Sequence, residues 1–588
     1  MRSVLLLLAV GITSFAAAAR AQQSDDQTQL PGVPWPATDA LGRSTPTGAE
    51  LAGTRANRTV CMFYFLWHGA HEVRRADRDG PFDISQILAA DGDARAKPDS
   101  PLWGPFGAPH YWGQPLYGYY RSDDPWVLRR HAYLLADAGV DALVFDTTNA
   151  VIYRDTFLEL CRVFHELRQE GERTPQIAFM VNTAAGATAD KIFHELYEPG
   201  LFRELWFQWQ GKPLLICDPA AASDTVKNFF TLRRAHWPFE MVNTDRAWHW
   251  EATFPQPFGY VDNQANVEQL TVSVAQNLRA SDGRVTNMSR LDARGRSFHD
   301  GDQAIENDSV GRGANFQEQW DRALQLDPPV VLVTGWNEWI AGRFGEKGGP
   351  ITFVDQYDEE FSRDIEPMRG GHGDNYYYQL VANVRRYKGI SPTPRRVPGE
   401  AFDSSQGWNA WAKVTPEFID HVGETIPRDH AGVCGLHYAE TSGRNDFVVA
   451  KVARDADRVY FYLRARKPWQ GVGPPSGTWL LIDVDQRSNT GWHGYDLIVN
   501  RQQADGQALI ERSVEDDQWR ADGRAELRVE GEHLQLALPR ALLPDNKGAL
   551  KFDFKWVDHL PEPIDIADFY TSGDVAPEGR FNYRYQSE

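Results

Sequence analysis

In VVLVTGWNEWIAG, residues 330–342, an apolar β-branched run ends abruptly in Trp336, Asn337, Glu338 and Trp339. Val330, Val331, Leu332 and Val333 follow Pro328 and Pro329 and predict a strand covered on both faces, as in a parallel sheet. The carboxyl end of such a strand is where parallel barrels place their chemistry. A carboxylate flanked by two indoles suits a sugar site: Trp faces stack on C–H surfaces, and a Glu between them transfers protons or attacks an anomeric carbon. The competing interpretation is a strand end whose Trp side chains are core and whose Glu caps the next turn.

The same pattern of apolar strand and polar end recurs upstream. A strand at 60–66 ends in Trp67, His68 and Gly69, and a long loop follows that carries Trp103, His110, Tyr111 and Trp112. Asp124 and Pro125 open an amphipathic helix stopped by Gly139, an Asp cap with Pro in the first turn. Its apolar face carries His131, read as structural. A strand at 142–145 ends in Asp146, Thr147, Thr148 and Asn149, and one at 177–181 ends at Asn182. Helices near 155–170 and 189–197, a strand at 214–217, a helix around 225–235 and a fifth strand at 239–243 continue the series. Strands at 258–261, ending in Asp262 and Asn263, and at 270–274 precede the helix 316–326 that feeds residue 330. Eight strands with intervening helices predict an α/β fold, a (β/α)8 TIM barrel over residues 57–390, closed by a helix at 374–387. A linker at 391–399 leads to residues 400–588. There, short alternating strands at 447–452, 459–463, 479–484, 495–499, 534–538 and 550–556 predict an all-β sandwich.

Composition narrows the function. At 588 residues two folded units are expected. Arg2, an apolar run from Val4 to Phe15 and the Ala19, Arg20, Ala21 ending have the parts of a secretory signal, with cleavage after Ala21 and export to the periplasm or medium. Residues 22–56 then form an extended, Pro-containing lead-in. No later stretch has the ~20 apolar residues of a membrane helix. A net charge of −20 disfavours nucleic acid and anionic membranes as partners, and no protein partner is indicated. The four cysteines, Cys61, Cys161, Cys217 and Cys434, show no metal-ligand spacing and read as apolar fillers.

With these pieces placed, three stretches resemble glycoside hydrolase family 99-like proteins of the WbsX and endo-α-mannosidase type: residues 118–149, residues 334–342 with the Asn337-Glu338-Trp339 core, and GDNYYYQLVANVRRYKG at 373–389. The resemblance implies a (β/α)8 fold, no required cofactor, and Glu338 in the position of a catalytic carboxylate. One departure matters. The mannosidases carry a second Glu three residues after the first, where this chain has Ala341. A glycosidase generally needs two carboxyl groups, so either another strand end supplies the second or the domain does not hydrolyse. Asp146, Glu251 and Asp262 are the candidates, with Asp146 favoured as a site residue; Glu346, Asp355 or Glu359 would serve if the following loop folds back. Tyr64, Trp67, His68, His110, Trp112, Asn149, Asn182, Trp336, Asn337 and Trp339 are candidate sugar contacts.

The C-terminal region resembles family 9 carbohydrate-binding modules in residues 459–469, 479–500 and 552–559. Those modules often hold Ca²⁺, and Asp483 and Asp485 are oxygen ligands of the right kind; a solvated turn is the preferred interpretation, and no metal is assigned. Trp479, Trp492 and Trp556 could line a sugar cleft or fill the core. The expected function is an exported glycoside hydrolase acting on a poly- or oligosaccharide, retaining or inverting undecided. The alternative is a non-catalytic glycan-binding protein that has lost one catalytic acid.

Overall fold

In the computed structural model the described residues are 29–587, apart from 71–79, 106, 107, 109, 239, 241–246, 258, 261–266, 304–308, 347, 397–401, 475, 476, 516, 517, 544, 547 and 548. The predicted leader therefore lies outside the described residues. Among those described, no helix is long and apolar enough to cross a membrane.

Eight parallel strands form a nearly closed barrel: β1 (Thr59–Tyr64), β2 (Ala142–Thr147), β3 (Gln176–Val181), β4 (Lys212–Ile216), β5 (Thr231–His236), β6 (Ala247–His249), β7 (Val267–Ser273) and β8 (Val330–Thr334). The hydrogen-bonded order is β7-β8-β1-β2-β3-β4-β5-β6. Between β6 and β7 a side chain makes the closure: His249 N–H donates to Gln269 Oε1 at 2.8 Å, and Gln269 Nε2 donates to the His249 carbonyl at 2.9 Å. The strands read as continuous apolar runs because both faces are buried. Cys61, Phe63, Val144, Met180, Ile216, Trp248 and Leu332 fill the barrel interior, while the alternate residues Met62, Phe145, Phe179 and Val331 pack outward in the larger core.

Helices α1 (Pro125–Asp137), α2 (Arg154–Glu170), α3 (Ala185–Ile192), α4 (Asp224–Phe229), α5 (Ala314–Leu326) and α6 (Asn375–Lys388) cover the outside. The Asp124 carboxylate caps α1 through the Trp126 N–H at 3.1 Å. Ser223 caps α4, which stops after six residues, far short of the helix expected at 225–235. The segment TLRRAH is instead the fifth strand, buried on alternate residues. Its polarity conceals it, since buried Arg233 is neutralised by a fork to Glu268 of β7 at 2.7 and 2.8 Å. Of the strand expected at 239–243 only Glu240 is described, and Asp262 and Asn263 also lie outside the described residues. Gly259–Tyr260 is a two-residue strand antiparallel to β7 rather than a barrel strand; the sixth barrel strand is β6, which the sequence did not suggest. Among the described residues no helix lies between β5 and β7.

The C-terminal part is one antiparallel sheet folded on itself. Its strands are β9 (Phe418–Ile419), β10 (Phe447–Arg454), β11 (Arg458–Ala465), β12 (Thr478–Asp483), β13 (Leu497–Ala504), β14 (Gln507–Glu515), β15 (Gln518–Glu530), β16 (His533–Pro539), β17 (Ala549–Asp558), β18 (Asp574–Ala576) and β19 (Tyr583–Gln586). They run β9-β10-β11-β16-β15-β14-β13-β12-β17, with β18 and β19 both on β17. The two layers meet through aromatic pairs, Phe461 of β11 lying 5.4 and 5.6 Å from Phe552 and Phe554 of β17. Trp479 and Trp556 are fully buried in this core. The charge-rich strands β14 and β15 escaped the sequence reading because they hold few apolar residues.

The barrel is bolted to this sheet along α1 and α6. His421 bridges Asp137 at 3.0 Å and Glu172 at 2.8 Å, and Arg580 pairs with Asp374 at 2.5 Å. The lead-in wraps the same seam. Trp35 packs edge-on against Tyr583 at 5.1 Å, and Arg385 of α6 donates to the carbonyls of Val33, Trp35 and Pro46.

Candidate active site

The site is assembled where β8 ends. The Thr334–Gly335 peptide is cis, and the Trp336 N–H donates to the Phe63 carbonyl at 2.9 Å. Asn337 continues the strand pairing with its side chain: Oδ1 accepts from the Phe65 N–H at 2.9 Å and Nδ2 donates to the Phe65 carbonyl at 3.1 Å. This clamp carries the chain to Glu338 at the carboxyl-end rim.

There Glu338 meets Arg363, a residue of the long loop between β8 and α6. Arg363 Nη2 donates to Glu338 Oε2 at 2.8 Å and Nη1 to Glu251 Oε2 at 3.0 Å, and the Asp355 carboxylate lies 3.8 Å from Nη2. Gln356 Nε2 also donates to Glu338 Oε2, at 2.5 Å, while its Oε1 accepts from the Arg363 N–H at 2.9 Å. The guanidinium lies over the Trp250 ring, 4.9 Å from its centroid. Glu251 is fully buried, with Oε1 accepting from the Asn277 N–H at 3.1 Å. The Asp355 side chain is 41% exposed, so it is the member of the group that faces water.

One buried cation thus serves three carboxyl groups, and charge balance favours protonation of part of the cluster. Burial, opposed by Arg363 and reinforced by Asp355, pushes the Glu338 carboxyl up to about 8 and Glu251 up to about 7. Asp355 faces water with one side only, and the desolvation of its other side raises its carboxyl against the pull of Arg363. Asp146 feels the same pair: burial and the Asp355 charge raise it, and Arg363 and the Thr148 N–H, 3.0 Å away, lower it. Asp364 accepts from the Glu338 N–H and, at 2.5 Å, from Trp112 Nε1, with its carboxyl held up to about 7 by burial.

The other sequence candidates divide by burial. Trp112 and Trp339 are fully buried and stack at 4.7 Å, with Trp339 Nε1 donating to Glu366 at 2.5 Å. Trp336 is buried against His131, and Tyr64 hydrogen-bonds His131 Nδ1 at 2.8 Å. His131 is in turn tied to Glu366 at 2.9 Å. Both nitrogens of His110 meet backbone carbonyls, those of Ala108 and Trp103. His68 is buried between Tyr111 and Tyr120, and burial depresses its imidazole to about 3, leaving it neutral. Exposed Asn149 turns back on Tyr153 and Val151, and exposed Asn182 follows β3. Trp67 is half-buried beside Phe65, its ring 6.0 Å away. With Trp237 it packs on the barrel-interior cluster, each of the two directly after the carboxyl end of a barrel strand or its short extension. Ala341 sits in a two-residue strand paired with His110 and is 1% exposed; that position is sealed away from the mouth.

Arg363, Gln356, Asp364 and Glu366 were not anticipated. They lie in a loop with no periodicity, and only the crowding of Asp and Glu around one Arg in SRDIE, residues 362–366, hinted at a buried ion cluster. Among the described residues two acidic groups could hold a cation, Asp420 with Glu424 and Asp574, and Asp483 with Asp485 and Asp496; both lie in the C-terminal part. Asp483 Oδ1 accepts from the N–H groups of Asp485, Gln486 and Arg487 and so caps a turn.

No family model matches the chain, and no curated protein matches it in sequence. Among solved structures, two of the family 99 endo-α-mannosidase from Bacteroides thetaiotaomicron are similar, one in complex with Bis-Tris-propane. That complex has a TM-score of 0.31 at 12% identity, covering 56% of this chain and 97% of its own. The other has a TM-score of 0.31 at 13% identity, covering 55% and 96%. The likeness is too distant to carry residue roles from those enzymes to this chain.

Proposed function

We propose that the chain is an exported glycoside hydrolase that cleaves a poly- or oligosaccharide at the barrel mouth, with Glu338 as general acid and Asp355 as the second carboxylate. The observation that carries this proposal is geometric: the buried Glu338 carboxyl and the water-facing Asp355 share one guanidinium, at 2.8 and 3.8 Å from Arg363 Nη2, and burial pushes Glu338 up to about 8. A carboxyl protonated at neutral pH can give its proton to a leaving glycosidic oxygen. Glu338 Oε2 accepts from Gln356 and Arg363, which leaves Oε1 to bear the proton. As Glu338 loses it, Arg363 is already in place to stabilise the anion. The two distances to Nη2 bound the Glu338–Asp355 oxygen separation at about 6.6 Å, compatible with either stereochemical course. Glu251 acts as a positioning residue that fixes Arg363, Asp146 adds negative charge near the developing oxocarbenium ion, and Trp67 and Trp237 offer stacking faces for sugar rings.

A second reading, a non-catalytic glycan-binding barrel, is favoured by one observation: the second acid position of the motif is Ala341, sealed in a strand pair. The deciding experiment measures product release from plant, algal and microbial glycans by the chain without residues 1–21, by Glu338→Gln and by Asp355→Asn. Release by the parent that both substitutions abolish in folded protein supports hydrolysis. Binding of one glycan by all three proteins without release supports the second reading.

A further inference from the structure

Beneath the seam between barrel and C-terminal sheet lies a group of carboxylates that the proposed chemistry does not use. Asp420 follows β9, Glu424 lies four residues on, and Asp574 opens β18 on the other layer of the folded sheet. They are 5%, 2% and 2% exposed, and one oxygen of each lies within 4.8 Å of the others. Each carboxylate commits one oxygen to the protein. Asp420 Oδ1 accepts from the Tyr583 hydroxyl at 3.4 Å, Glu424 Oε1 from Arg130 Nη1 at 2.9 Å, and Asp574 Oδ2 from the Phe447 N–H at 2.6 Å. The other oxygens, Asp420 Oδ2, Glu424 Oε2 and Asp574 Oδ1, are buried and have no hydrogen-bond donor among the described residues. Glu578 repeats the pattern, with Oε2 3.7 Å from Arg130 and Oε1 buried without a donor.

Buried carboxylates this close together, each with one oxygen left bare, are costly unless a cation joins them. The nearby protein cations do not meet these bare oxygens. Arg130 meets the outer oxygens of Glu424 and Glu578. His421 is held between Asp137 and Glu172. Lys555, within electrostatic range of Asp420, Glu424 and Glu578, donates to the Pro577 carbonyl.

We infer that Asp420, Glu424 and Asp574 form a binding site for a hard divalent cation, Ca²⁺ by its donor set, that pins both layers of the C-terminal sheet against the barrel helix α1. All donors are carboxylate oxygens, the ligands that Ca²⁺ takes in flexible geometry, with no nitrogen or sulfur to favour zinc or copper. Asp420 and Glu424 come from one layer and Asp574 from the other, and Arg130 links the cluster to α1. The ion therefore stabilises the tertiary seam rather than acting at the barrel mouth.

The test uses the chain without residues 1–21, purified in metal-free buffer after exposure to CaCl2. Elemental analysis is expected to find about one Ca²⁺ per chain. EDTA is expected to lower the Tm by about 5 °C and CaCl2 to restore it, since a ligand of the folded state alone stabilises by mass action. The double variant Asp420→Asn, Asp574→Asn is expected to lose both bound calcium and the EDTA response, whereas Asp483→Asn keeps them. A parent without bound cation whose Tm is the same in EDTA, calcium, magnesium and manganese overturns the proposal. So does a metal response that vanishes in Asp483→Asn and survives in the double variant, or a double variant more stable than a metal-insensitive parent at pH 7, the signature of shared protons.

Discussion

Arg363 Nη2 lies 2.8 Å from the Glu338 carboxylate, and the same guanidinium holds Glu251 at 3.0 Å. The loop after the motif strand thus supplies the counter-charge for a carboxylate that the strand delivers, and residues 25 positions apart in sequence act as one group. The proton affinity of Glu338 is therefore a property of the assembled rim.

Removing the guanidinium leaves the buried Glu338 and Glu251 carboxyl groups without the cation that holds them. Arg363→Met is expected to destabilise the protein by about 3–5 kcal/mol, the range for breaking a buried pair from one side. Arg363→Lys recovers only part of that, because one ammonium cannot fork to both partners. Urea unfolding of the three proteins checks it.

Glu338→Gln keeps the shape of the side chain and removes the acid. Product release on any glycan the parent cleaves is expected to fall about 10²–10⁴-fold, with an unchanged circular dichroism spectrum. Asp355→Asn is expected to show a loss in the same range. Steady-state rates for folded variants decide the assignment, and near-parental rates in either would remove that residue from the mechanism.

The pH behaviour has a definite sign. Glu338 is held near 8 against an ordinary value of 4.5, so the folded protein retains a proton that the unfolded chain releases. Its contribution to stability is complete below about pH 4.5 and is lost as the pH rises through about 8. Unfolding free energy is expected to fall with rising pH across that window, less steeply in Glu338→Gln. Glycosidase activity is expected to fall above about pH 8, as the acid deprotonates.

Trp67 is half-buried where β1 ends and packs on Phe65, which places an indole beside the strand end that delivers Glu338. Trp67→Ala is expected to raise KM about 3- to 10-fold with a smaller change in kcat, from the loss of about 0.5–1.5 kcal/mol of stacking. Initial-rate kinetics separate the two parameters.

Lys388, at the end of α6, donates to both Asp141 oxygens at 2.7 and 2.8 Å and to the carbonyls of Leu30 and Gly139. Lys388→Met leaves Asp141 buried without its cation and is expected to cost about 3–5 kcal/mol. The loss appears in thermal or denaturant unfolding rather than in substrate affinity, because Asp141 precedes β2, at the strand end opposite the rim.

Strand-delivered features were legible because burial on both faces leaves a one-dimensional record. The run 330–333, the polar ends at Asp146 and Glu338, and the Asp124 cap are local patterns of apolar spacing and punctuation, and the barrel class follows from them. β5 was missed for the reason that makes it stable, since Arg233 is polar in sequence and neutral in effect once Glu268 forks onto it. β6 was missed because three residues carry no period.

The α/β barrel, the β-rich region after it and the place of Glu338 at a strand's carboxyl end depend on interactions between near neighbours, and so are written in the order of residues. Folding in space is what brings Arg363 and Gln356 to Glu338, sets Asp355 on the same guanidinium, seals Ala341 away and makes Asp420, Glu424 and Asp574 converge. Electrostatic partners are chosen by distance in space, and a loop without periodicity leaves no trace in the order of residues of where it will fold back.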